Sequence, residues 1–271
     1  MSTRGESTRE LRSALSELRL VVRQVGYEQL SFWLNPVGAI FTVGFSLLFL
    51  VMLGASAGSS RISYMHNIRL VQYYVPGFIA YGVMSASFNN LAISLVIRRE
   101  TGLLKRLRLS PLPTWTLLTS ILLSTLLIAF AQVVLMLAVG RWAFGVQLPS
   151  GASDIAALVV VLALGGLSFA ALGSAMSTLI PNQQAAGPLT STVFFVLLFL
   201  SGLWFPLKSG STLAKISTFF PIRHFITAVL TAFEHPGDSA WAGHDLLIVV
   251  IWGAIGAAIA LRRFQWAPQR T

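Results

Sequence analysis

Six apolar runs alternate with short polar segments along this chain. They cover about Pro36–Gly54, Tyr73–Ile97, Thr114–Gly140, Ile155–Ile180, Pro188–Phe205 and Leu246–Leu261. Each approaches the ~20 residues that a helix needs to cross a ~30 Å hydrocarbon core. Hydrocarbon offers backbone N–H and C=O groups no partner, so the runs predict six membrane-spanning helices. A further apolar stretch, SGLWFPLKSGSTLAKISTFFPIRHFITAVL from Ser201, is broken by Gly202, Pro206, Gly210 and Pro221 and carries Lys208, Lys215, Arg223 and His224. It predicts two short helices, about Thr212–Phe220 and Ile222–Phe233, dipping part-way in from the outside; an ordinary external loop with an interfacial helix is the alternative. Irregular backbone at such depth is tolerated where protein or a cavity covers it.

Two polar segments are amphipathic. Within residues 6–30, Leu11, Leu15, Leu18, Val22 and Val25 form one stripe, with Glu10, Arg12, Glu17, Arg19 and Arg23 elsewhere. This predicts a helix lying on the membrane surface ahead of the first span. Residues 98–113, RRETGLLKRLRLSPLP, interleave Leu103, Leu104 and Leu107 with Arg98, Arg99, Lys105, Arg106 and Arg108 against the single acid Glu100. Each Arg or Lys at the bilayer centre costs roughly 2.5–3.5 kcal/mol on insertion scales. The segment therefore stays out of the membrane, against lipid headgroups or a partner protein.

Charge sets the orientation. With the N-terminus inside, the inner segments hold thirteen basic residues and the outer ones six: Arg61, Arg69, Arg141, Lys208, Lys215 and Arg223. The excess predicts both termini in the cytoplasm. The chain divides into residues 1–35, an N-terminal amphipathic helix, and residues 36–271, a six-span domain. Only 10% of its 271 residues are charged and 55% are hydrophobic, against about 25% charged in soluble domains. The net charge of +10 sits mostly in loops beside spans, which argues for membrane topology and against nucleic acid.

Several chemistries are excluded. Cysteine is absent, which removes disulfides and thiol nucleophiles. No G-x-x-x-x-G-K-[ST] phosphate loop is present, so ATP and Mg²⁺ would have to act through a separate chain. His66, His224, His235 and His244 show no metal-ligand spacing, so no metal site is expected. No clean span holds an acid, which disfavours an ion-coupled carrier. No His or Lys sits mid-span to activate a serine nucleophile. The spans instead carry packing groups. Gly165, Gly166, Ala170, Gly173, Ser174 and Ser177 cluster on the fourth; Gly253, Gly256, Ala257 and Ala260 cluster on the sixth. Small residues bring helices close. Asn89, Asn90 and Gln132 are buried amides that need partners, either linking helices or lining a substrate path. Phe88, Phe194 and Phe195 are candidates for the same path, with Phe199 and Trp204 nearby. Trp33, Trp142, Trp241 and Trp266 read as interface anchors.

The basic segment after the second span and the Gly/Pro-broken block after the fifth, in this order and spacing, resemble type-2 ATP-binding-cassette exporter permeases. The bacterial daunorubicin and multidrug-resistance branch is the nearest in flavour. Leu103–Leu104 stands where many members have Thr–Leu, and Ser110 where Thr is common. The resemblance implies a transmembrane subunit of the bacterial plasma membrane that lacks its own ATPase site. It would pair with two copies of a separate ATPase and with a second permease, most simply as a homodimer among membrane lipids. It implies that Arg98, Arg99, Glu100, Gly102, Leu103, Leu104, Lys105, Arg106 and Leu107 couple to the ATPase. It places an extracellular gate at Gly202, Pro206, Pro221, Arg223 and His224. The cargo implied is a hydrophobic, drug-like molecule moved outward. Export of a lipid or polysaccharide, or a membrane enzyme or anchor whose basic loop binds lipid, are the alternatives.

Overall fold

The structure, a computed structural model, describes residues 3–58, 60–62, 68–104, 114–204, 212–234 and 241–263. Its helices are α1 (Thr3–Trp33), α2 (Pro36–Ala57), α3 (Leu70–Glu100), α4 (Thr114–Phe144), α5 (Ala152–Leu179), α6 (Gln183–Leu200), α7 (Thr212–Ser217), α8 (Pro221–Glu234) and α9 (Gly243–Arg263). Among the described residues, six are long and apolar enough to cross a membrane: α2 to α6 and α9. The all-α membrane architecture follows the apolar pattern. A small departure lies between α2 and α3. There β1 (Arg61–Ile62) and β2 (Ile68–Arg69) pair antiparallel, Arg61 opposite Arg69 and Ile62 opposite Ile68.

Helix ends differ from the apolar windows because caps are polar. Asn35 accepts a hydrogen bond from the Gly38 N–H at 3.2 Å, with Pro36 in the first turn, and so starts α2 where the pattern starts it. The fifth span begins a turn before Pro188: Asn182 accepts from the Ala185 N–H at 2.9 Å and caps α6. Arg69 donates to the carbonyls of Phe144 and Gly145 at 2.9 and 3.2 Å, closing the C-terminus of α4.

α3 is the hub. Of its apolar window 78% is buried, against 22% for α6 and for α9. It packs on α2, α4, α5, α6 and α8, and Phe78, Ile79 and Met84 are fully buried in it. Two spans contain a wider π turn, Ile40–Gly44 in α2 and Ser85–Asn90 in α3. The second rests on α5. A Cβ on Gly173 would stand 2.7 Å from the Phe88 carbonyl oxygen. The small-residue clusters thus act as predicted. Gly253 and Gly256 of α9 lie against Ser168, Ala171 and Leu172 of α5, and Gly165 receives the Phe225 ring of α8. Alanine at Gly165 would overlap that ring. The expected cost is about 1–3 kcal/mol, read as a lower apparent Tm in a fixed detergent.

α7 and α8 fall within a residue or so of the predicted starts. At 14 residues, α8 is ~21 Å long, too short to span. Its buried face, including Ile222, Phe225, Ile226 and Val229, packs on α3, α5 and α9. In α1 the predicted stripe and the packed face differ. Val25 is buried, together with Val21 and Glu28, whereas Leu18 and Val22 are exposed.

Candidate coupling segment and cavity

α3 ends on two arginines that point into different neighbours. Arg98 donates to Glu28 of α1 through both terminal nitrogens, at 2.8 and 2.5 Å, and through Nε to the Ser94 hydroxyl at 3.1 Å. The pair is largely shielded, with side-chain exposures of 18% and 9%. Arg99 is 3% exposed. It donates to the Ser177 and Ile180 carbonyls at the C-terminus of α5, at 3.1 and 2.7 Å, and to Glu100 at 2.9 Å. Terminal helix carbonyls lack intrahelical donors and carry the negative end of the dipole, so a guanidinium fits there. Gly102 then takes φ +72°, its N–H bonding the Arg99 carbonyl at 3.1 Å. This left-handed residue ends α3 and re-aims the chain. Helical geometry resumes at Leu103 and Leu104, and Leu104 is fully buried among Leu91, Leu95, Leu117 and Ile121.

Beside this end lies a cavity of about 740 Å³ between α1, α2, α3 and α4. Its wall combines the apolar Phe32, Phe41, Ile121 and Ile128 with Ser85, Asn89, Asn90, Ser94 and Thr125. Asn89 and Asn90 belong to the π turn of α3, a feature frequent at functional sites. The Asn89 Oδ1 is buried and has no hydrogen-bond partner among the described residues. Glu28, Ile97, Arg98, Thr101 and Leu103 also line it, so the charged end of α3 is one of its walls. The space suits an amphipathic molecule of moderate size.

Residues 201–204, which follow α6, lie at the opposite end of the bundle. Gly202 takes φ +81° and its carbonyl accepts from the Tyr73 hydroxyl at 2.8 Å. Leu203 is fully buried against Gly77. Pro221 opens α8 and is buried, and Arg223 is half-buried. His224 is 7% exposed. Its Nδ1 lies 2.6 Å from Asp245 of α9 and its Nε2 lies 2.8 Å from the Thr218 carbonyl. The sequence shows no metal-ligand spacing, yet the fold brings ligand atoms of His224, His244 and Asp245 within 4.8 Å of one another.

Comparison with known proteins adds the decisive observation. Residues 59–262 match the family model described as ABC-2 family transporter protein. The chain belongs to the ABC-2 transporter family. It is 30% identical over 207 residues to a protein of Escherichia coli (strain K12) named as a multidrug ABC transporter permease, YbhR, covering 74% of this chain and 54% of that one. It is 26% identical over 243 residues to a transport permease, ycf38, of Cyanophora paradoxa, covering 82% and 81%. The chain thus spans about half the length of the Escherichia coli relative.

In this ABC-2 chain the expected substrate-path residues separate. Asn89 and Asn90 line the cavity. Gln132 does not: it is 1% exposed, and its Nε2 donates to the Thr42 carbonyl at 3.1 Å and to the Ser46 hydroxyl. It ties α4 to α2, the helix-linking alternative of the sequence reading. Phe88 and Phe194 are buried in the core, Phe194 against Tyr81 at 5.4 Å. Phe195 is 43% exposed on the outer face of α6. None of these four reaches the cavity wall. Of the residues expected to couple to the ATPase, Arg98 and Arg99 turn inward to α1 and α5, so neither guanidinium is free to dock a partner. Lys105, Arg106 and Leu107, like Pro206 of the expected gate, lie outside the described residues. Glu28 escaped the sequence reading. Its signal is an acid on the same helical face as Val21 and Val25, a position that demands a buried cation.

Proposed function

We propose that this chain is the membrane subunit of an ATP-driven exporter that moves a hydrophobic, drug-like molecule out of a bacterial cell. It works as a homodimer with two copies of a separate ATPase that docks on residues 98–113 through groups other than the Arg98 and Arg99 guanidiniums. Both termini and the basic end of the bundle face the cytoplasm, and α7–α8 face outward as part of the gate. One observation carries this reading: Arg98, Thr101 and Leu103 belong both to the predicted coupling segment and to the cavity wall. A push on that segment cannot stay local, because Arg98 grips α1 and Arg99 grips α5. Closure of the ATPases would therefore reshape the cavity and bias it toward outward release. ATP must bind the two states unequally for this to drive transport.

The test is co-expression with its ATPase, followed by measurement of substrate-stimulated ATP hydrolysis and of dye efflux. Gly102→Val strains the left-handed turn, and Arg106→Glu inverts a docking charge. Each is expected to lower efflux by about tenfold or more while ATPase activity without substrate stays unchanged. Wild-type efflux in both variants would overturn the coupling role. Efflux that collapses with the proton gradient and ignores ATP would overturn the function. The exposed Leu18, Leu20, Val22 and Leu30 of α1 favour a second reading, in which the cargo enters as a lipid from the adjoining leaflet. A tightly co-purifying lipid that competes with dye separates the two.

A further inference from the structure

We propose that His224, His244 and Asp245 form a divalent transition-metal site, of the kind that takes Zn²⁺, at the α7–α8–α9 end of the bundle. The argument starts from the bonding of His224. Both its partners, the Asp245 carboxylate and the Thr218 carbonyl, only accept hydrogen bonds. A neutral ring has one proton to give. Either neutral tautomer leaves one ring lone pair facing an oxygen: Nδ1 against Asp245 at 2.6 Å, or Nε2 against the Thr218 carbonyl at 2.8 Å. A cation between Nδ1 and Asp245 removes the conflict. A metal-ligating histidine characteristically donates its other ring N–H to a backbone carbonyl, and Thr218 provides one at 2.8 Å.

A second proton on His224 would satisfy both oxygens without a metal; the observation that favours an ion is the nearness of His244. His244 brings its ring centroid to 6.0 Å from that of His224, and all three residues offer ligand atoms within 4.8 Å of one another. Two imidazoles and a carboxylate are the donor set that zinc prefers over calcium or magnesium. Tetrahedral coordination at ~2.0–2.2 Å needs ligand atoms about 3.3 Å apart. A shift of under about 1 Å at the half-buried Asp245 opens its 2.6 Å approach to His224 to that separation, and the exposed His244, within 4.8 Å, swings in to join them. His244 is exposed, so the fourth position is open to water. A bound ion would staple α8 to the first turn of α9 and, through Thr218, to the end of α7.

The test uses the full chain, purified in detergent without a polyhistidine tag, stripped with chelator and titrated with Zn²⁺. The expected result is one ion per chain at roughly micromolar affinity or better, counted by elemental analysis after desalting. His244→Ala is expected to weaken binding about tenfold or more. Because His244 is exposed, the same change should leave the metal-free Tm unaltered. Asp245→Asn should weaken binding likewise, and the His66→Ala/His235→Ala double variant should keep it. Sub-stoichiometric binding, or binding untouched by His244→Ala and Asp245→Asn, overturns the proposal. So does a Tm that depends on pH through His224 but ignores zinc. None of these readouts depends on transport, so they stand or fall separately from the exporter reading.

Discussion

Arg99→Met is expected to lower the stability of the protein by about 3 kcal/mol or more. Methionine keeps much of the volume and none of the donors. The change strands the Ser177 and Ile180 carbonyls at the end of α5 and frees Glu100. At 3% exposure the site admits little water to replace the guanidinium. Each stranded buried acceptor costs about 1–3 kcal/mol. The loss of a cation at the negative end of a helix dipole adds up to ~1 kcal/mol. Arg99→Lys keeps the charge but cannot fork between two carbonyls and a carboxylate, so it should recover only part of the loss. Apparent Tm in one detergent, with the amount of folded protein in membranes, measures both. If Arg99→Met melts with the wild type, Arg99 is not the strut that joins α3 to α5.

That strut shows what a sequence can and cannot reveal about this fold. The ban on burying arginine in hydrocarbon shows that residues 98–113 leave the membrane. It does not show that Arg98 and Arg99, neighbours about 100° apart on a helix, serve different helices 70 and 78–81 residues away. The six spans are legible because length and apolarity suffice to define them. Their ends are not, because Asn182 and Pro188 look like loop residues until a cap is seen. The amide of Gln132 announces that it needs a partner, but choosing Ser46 requires knowing that α2 lies beside α4. The π turn at Ser85–Asn90 leaves no periodic trace in an already apolar run. The triad of His224, His244 and Asp245 is invisible to single-helix motifs such as H-E-x-x-H, since His224 stands 20 and 21 residues from the adjacent His244 and Asp245.

Glu28→Ala carries the second large effect, and it reaches from stability to transport. Removing the carboxylate leaves Arg98 with its Ser94 bond alone in a largely shielded place. The expected cost is about 2 kcal/mol, below the 3–5 kcal/mol of a fully buried pair because Arg98 keeps some water. Arg98→Ala should cost a similar amount, and the double variant less than the sum by at least about 1 kcal/mol. A surface pair would fade with salt. This one should hold most of its coupling at ~1 M NaCl, because 9% and 18% exposure leave little room for counterions. The swapped pair, Glu28→Arg with Arg98→Glu, should regain part of the loss. If the chain exports as proposed, the same geometry bears on transport. If α1 moves with the charged end of α3, Glu28→Gln should weaken dye efflux more than it weakens ATP hydrolysis, since the motor still pushes but one cavity wall no longer follows. An additive double-mutant cycle, or efflux that falls only in step with the amount of folded protein, would reduce Glu28 to a stabilising contact and leave α1 outside the moving parts.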